Sequence, residues 1–171
     1  MKPQTGDIVV VLDGKWTLAK LIQLVTRSQA HHTGILVEIN GTLYVSEMEQ
    51  EGHIFTEWAG EKYNSGFPVD RTVLLMRYKG EADWSKLYSW CLQNESEYDF
   101  AALIQHVIFR YLRIWIGRRK VKAAGRMTCS EWVGFTLNKF TGMFPKWYNA
   151  APANIATDYP DKFFLFSPDK N

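Results

Sequence analysis

The chain has 171 residues, the length of one ordinary globular domain, and no repeat, low-complexity stretch or linker divides it, so residues 1–171 are expected to form one domain. It is 46% hydrophobic, 15% aromatic and 22% charged, which excludes a disordered chain and supplies a sizeable core. A net charge of +2 makes no case for a nucleic-acid binder, and two cysteines, Cys91 and Cys129, exclude a disulfide-rich scaffold or a four-cysteine zinc site.

The apolar run Ile8 to Leu12 follows Gly6-Asp7 and is broken at Asp13-Gly14. It is too short for a signal-peptide core and reads as a strand. Leu18, Leu21, Ile22 and Val25 fall at helical spacing. Thr33 to Ile39 and Thr42 to Met48 flank Asn40-Gly41, the preferred pair for a two-residue type I′ turn. That turn places His32 opposite Glu49 and Gly34 opposite Glu47, all four on one face of the sheet, with His31 and Gln50 on the other. A bulge or a one-residue shift would exchange His31 and His32.

His53-Ile54-Phe55 starts a further strand, and Thr72 to Arg77 is a clear apolar one. Ala82 to Cys91 reads as a helix and Asn94 to Asp99 as a polar loop. Phe100 to about Trp115 is a second helical stretch, and its apolar part, Ala101 to Phe109, falls well short of the roughly 18 residues of a membrane span. Thr128 to Phe140 is a third helix, stopped by Thr141-Gly142, and Phe163 to Phe166 is a final strand. Strands first and helices later make an α+β chain. With no export signal or span in view, a soluble cytoplasmic protein is the default expectation.

Cys129 carries the most chemistry. Thr128-Cys129-Ser130-Glu131 fits a capping box, which puts Cys129 at the first helical position. There the free N–H groups and the positive helix end favour a thiolate and can line an oxyanion hole. The rival reading is a small buried hydrophobe, as most free cysteines are. Cys91, on the apolar face of its helix, reads as core. His32 is the best base, because its face also carries Glu47 and Glu49 and a carboxylate neighbour stabilises an imidazolium. His53 and His106 have no spacing argument. No metal site is expected: adjacent histidines on a strand face opposite ways, and there is neither a His-Glu-x-x-His nor a paired-cysteine motif.

Arg110 to Arg126 is basic, lacks acids and is interleaved with Tyr111, Trp115 and other apolar residues. It reads as a solvated segment, or as a contact for an anionic membrane surface or an anionic ligand; a nucleic-acid contact is conceivable too, though no nucleic-acid fold motif accompanies it.

Taken in order, Gly6-Asp7-Ile8, His32-Thr33-Gly34-Ile35, Tyr44-Val45-Ser46-Glu47, Glu97-Tyr98-Asp99-Phe100, Thr128-Cys129-Ser130-Glu131 and Ala151-Pro152-Ala153-Asn154-Ile155 resemble the circularly permuted NlpC-type branch of the papain-like superfamily. The histidine strands precede the cysteine helix there, an arrangement shared with lecithin:retinol acyltransferase-like proteins. The resemblance spans roughly Gly6 to Ile155 and implies a papain-like fold with a Cys-His-polar triad. Cys129 matches the nucleophile, His32 the base and Glu47 the orienting residue, with Glu49 and His31 as alternates. Tyr98, Asp99, Thr128 and Ser130 match pocket or structural positions. The implied activity is cofactor-free cleavage of an amide, ester or thioester on a peptide (cell-wall type included) or small acyl substrate. Acyl transfer and thioester hydrolysis on lipids are the alternatives, as is a non-catalytic peptide- or lipid-binding module. The long basic stretch from Ala101 to Met127 departs from the family pattern and unsettles any transfer of substrate.

Overall fold

A computed structural model describes residues 1–12, 20, 22–23, 28–58, 72–102 and 125–167. Eight strands are described: β1 (Ile8–Leu12), β2 (Ala30–Ile39), β3 (Thr42–Glu49), β4 (Gly52–Glu57), β5 (Thr72–Tyr78), β6 (Glu97–Tyr98), β7 (Arg126–Met127) and β8 (Phe163–Phe166). Among the described residues, three α-helices have both ends described: α1 (Leu87–Gln93), α2 (Cys129–Thr141) and α3 (Pro152–Thr157). Six strands form one sheet in the order β4-β3-β2-β1-β5-β8, every neighbouring pair antiparallel. The α+β class is as expected.

The continuous apolar run of β1 follows from its central place. Ile8 and Val10 join the helix-side core with Ile35, Val37, Met48, Met76, Trp132, Val133 and Leu137. Val9 and Val11 point the other way and pack with Leu36, Val45 and Leu75. A strand buried on both faces loses the apolar–polar alternation of a half-exposed one. Each fully buried large side chain contributes about 1.5–3 kcal/mol, so Trp132, Val133 and Leu137, all 0% exposed, fix α2 firmly on the sheet.

The central hairpin has the expected register, from Ile39 opposite Thr42 to Gly34 opposite Glu47. Asn40 and Gly41 both take positive φ, 52° and 83°, as a type I′ turn requires. β2 starts at Ala30, earlier than the apolar pattern suggests, because β1 supplies it with pairing partners. The register between β1 and β2 slips between Val11 and Leu12, so that Leu12 pairs with Ala30 and His31 is passed over. The bulge thus falls before His32, and His32 keeps its place beside Glu47.

Three expectations need correction. The segment read as a polar loop, Asn94 to Asp99, contains β6, which pairs in parallel with β7. The helix read from Ala82 starts with a 3₁₀ turn at Trp84–Lys86, capped by the Asp83 side chain, and only Leu87–Gln93 is α-helical. A short helix, α3, was not anticipated; Pro152 starts it, and the Asn154 side chain accepts a hydrogen bond from the Ala151 amide. Most of the first helical stretch, most of Phe100 to Trp115, and the basic segment from Arg110 up to residue 124 lie outside the described residues, as does His106. Among the described residues no helix is long and apolar enough to cross a membrane.

Candidate active site

Cys129 is the first residue of α2. Thr128 is the N-cap: its hydroxyl accepts from the Glu131 amide, and the Glu131 carboxylate accepts from the Thr128 amide at 2.8 Å. Such a cap is worth about 1 kcal/mol and sets where the helix begins. The amides of Cys129 and Ser130 belong to the first turn, which has no carbonyl four residues back to receive them. They are not spent on the helix itself.

The approach to the cysteine is fixed from behind. β7 leads directly into Thr128, and β6 clamps it, with the Asp99 amide donating to the Met127 carbonyl at 3.1 Å. β6 is in turn tied to β4 by the His53 amide on the Ser96 carbonyl at 2.9 Å. Gly52 makes this approach close: its φ is +111°, and a Cβ there would come to 2.9 Å from the Ser96 oxygen.

The His32 Nε2 lies 2.5 Å from Glu47 Oε2, and Cys129 is near enough to favour the charged ring. With Nε2–H donating to the carboxylate, Nδ1 is the nitrogen left for the thiol. Burial of the ring disfavours its charge, yet the hydrogen bonds and charges of Cys129 and Glu47 outweigh this and raise its pKa from 6.5 to about 10. The imidazolium is therefore the stable form of His32 at neutral pH. Glu47 is fully buried, and its second oxygen, Oε1, accepts from the Thr56 hydroxyl at 2.5 Å.

Glu49, the alternate, stands farther off, with Oε1 at 3.7 Å from His32 Nε2. His31 lies on the bulge. Of the expected pocket residues, Tyr98 is close to the site. It is largely buried, and the charges of Cys129, Glu49 and Glu131 reinforce the burial in raising its pKa well above the ordinary value. Asp99 instead caps the helical turn after it, accepting from the Ala102 amide at 2.7 Å. Ser130 donates to the Ala150 carbonyl at 2.7 Å, so its hydroxyl, like that of Thr128, is occupied by the scaffold.

A second polar cluster, not foreseen from the sequence, lies on the helix-facing side of β3. The Ser46 hydroxyl accepts from Trp132 Nε1 at 3.1 Å, reaches Cys91 Sγ at 3.4 Å and pairs with His53 Nε2 at 2.8 Å. Cys91 is fully buried, as expected, and burial pushes its thiol up to about 11. A cleft of about 760 Å³ opens beside this region, walled by Glu51, His53, Glu95, Ser96, Glu97 and Arg126 among others. Cys129, His32 and Glu47 do not line it.

His32, Glu47 and Glu49 also form the one group among the described residues able to offer three ligand atoms to a metal, all within 4.8 Å of one another. Adjacent histidines and short sequence motifs give no sign of it, because the trio is contributed by two strands. As arranged, the cluster is closed around a proton: ligands at about 2.1 Å from one cation sit roughly 3 Å or more apart, and His32 and Glu47 are at 2.5 Å. A cation would require them to part.

No family model and no curated protein matches the chain. Among solved structures, it is similar over 100% of both chains to the metalloprotein yiiX from Escherichia coli O157:H7, described as DUF1105, with 21% sequence identity and a TM-score of 0.55. At that identity the likeness speaks for a shared fold.

Proposed function

We propose that the protein is a cysteine hydrolase of papain-like, circularly permuted NlpC type, acting on an amide, ester or thioester. The observation that carries this reading is the placement of His32 between Cys129, at a helix start, and the buried Glu47. In this scheme His32 holds the Cys129 proton, and the thiolate attacks the substrate carbonyl. The Cys129 amide stabilises the oxyanion, and His32 then protonates the leaving amine or alcohol. Water, deprotonated by His32, hydrolyses the acyl-enzyme thioester, and Glu47 keeps the ring oriented throughout. A peptide or a small acyl compound is the proposed substrate class, and a cytoplasmic setting goes with it.

Alkylation by iodoacetamide tests the pair before any substrate is known. Cys129 is expected to label rapidly at about pH 6, Cys91 to resist, and His32→Ala to abolish the difference. A screen of peptides and acyl esters against wild type and Cys129→Ala follows. Equal labelling of Cys129 in wild type and His32→Ala would sink the hydrolase.

The second reading is a divalent cation held by His32, Glu47 and Glu49, favoured by their mutual proximity and by the description of the similar yiiX structure as a metalloprotein. Stoichiometric metal in the purified protein, lost together with Glu49→Gln, would select it.

A further inference from the structure

We propose that Thr56 positions the Glu47 carboxylate toward His32, and so selects Glu47 over Glu49 as the partner of the imidazole. This inference deepens the thiol chemistry proposed above and rests on it.

The argument begins with the register. Val45 pairs with Thr56 and Glu47 with Ile54, so Thr56 is the diagonal neighbour of Glu47 on the same face of the sheet. Its hydroxyl donates to Glu47 Oε1 at 2.5 Å while Oε2 receives His32 at the same distance. Each carboxylate oxygen thus has its own short, charge-assisted donor. The terminal torsion of a glutamate is otherwise soft, with broad wells. A threonine on a strand is stiff at χ1, so its hydroxyl is a fixed post. With both oxygens held, the plane of the carboxylate is set, and with it the plane of the ring.

A competitor makes this selection matter. Glu49 Oε1 waits 3.7 Å from the same His32 nitrogen, and its side chain is 31% exposed where that of Glu47 is 0%. Without the Thr56 donor, Oε1 of the buried carboxylate loses that hydrogen bond and its orientation loosens, and the more exposed Glu49 competes better for the imidazole. The ring would then follow Glu49 and its other nitrogen would turn from Cys129. Thr56 is therefore a positioning residue: it touches neither substrate nor nucleophile and acts through Glu47.

The experiment compares Thr56→Val, nearly isosteric but without the donor, with Thr56→Ser, which keeps it. Proton NMR reads the low-field resonance of the His32 ring N–H bound to Glu47, assigned by its loss in His32→Ala. Iodoacetamide reads Cys129 against Cys91 in the same samples. Thr56→Val is expected to lose or shift the resonance and slow Cys129 labelling about tenfold, the order found when an outer partner of a site residue is removed. Thr56→Ser is expected to retain both. A resonance unchanged in Thr56→Val overturns the proposal, as does a Thr56→Ser variant that behaves like Thr56→Val. If Cys129 labels alike in wild type and His32→Ala, the hydrolase reading has failed, and the resonance still decides whether Thr56 holds the pair.

Discussion

Two histidines lie within reach of the same buried carboxylate and respond in opposite directions. Burial presses on both rings to give up their charge, and Glu47 favours the charge of both. In His32, the influence of Cys129 and the hydrogen-bonded Glu47 outweighs burial and raises its pKa to about 10. In His53, Ser46 is the side-chain partner and burial wins, leaving the ring neutral down to about 4. The aromatic rings of Phe55 and Trp132, with centroids at 4.8 and 4.4 Å, complete the dry surroundings of His53. Proximity to a carboxylate is therefore not what makes a base; the matched acceptor is.

The largest effect expected from this contrast is in reactivity. His32→Ala should lower Cys129 alkylation at about pH 6 by roughly 100-fold, whereas His53→Ala should change it by less than about threefold. Comparable losses in both variants would erase the distinction. Glu47→Gln comes next, with a loss of about tenfold, because the amide can still accept from Nε2–H but no longer offers a charge. The alkaline limb of a pH–rate profile, once a substrate is found, should lie near the raised pKa of His32 in wild type and move toward 6.5 in Glu47→Gln.

Stability gives the smaller effects. Ser46→Ala leaves the Trp132 indole N–H buried without its acceptor and should cost about 1–3 kcal/mol, read by denaturant titration. The two histidines should also mark opposite ends of the pH–stability curve. The folded state keeps the His32 proton while the unfolded chain loses it above 6.5. Its contribution is thus full below pH 6.5 and fades as pH rises through about 10. For His53 the unfolded chain takes up a proton near 6.5 and the folded state only near 4, so stability falls as pH drops across that window. Melting curves of His53→Gln should fall less steeply there than those of wild type, and parallel curves would remove His53 from the account.

How much of this the sequence discloses depends on how local the cause is. The hairpin is readable because Asn40-Gly41 sets the turn and the pleat then counts residues off in pairs, which is how His32, Glu47 and Glu49 come to share a face. The start of α2 is readable because four consecutive residues cap it. The choice of Glu47 over Glu49 goes beyond the pleat, since the carboxylates share a face; Thr56, from the next strand, enters only through the β3–β4 register. β6 and β7 escape notice because each has two residues and they pair across a gap of 29 positions. The Ser46 cluster escapes for the same reason, joining β3, β4, α1 and α2 by side chains alone.

The two-residue turn at Asn40-Gly41 has a kinetic consequence. A hairpin closed by such a turn forms in about 1–10 μs, and His32 and Glu47 are carried on its two arms. Cys129 arrives on a helix that begins 82 residues after Glu47, and contacts so distant in sequence close more slowly. During refolding the His32–Glu47 pair is thus expected to assemble well ahead of its contact with Cys129. Cys129 would then meet His32 only once α2 docks on the sheet, so the thiol of a chain still in search of its fold stays apart from the ring.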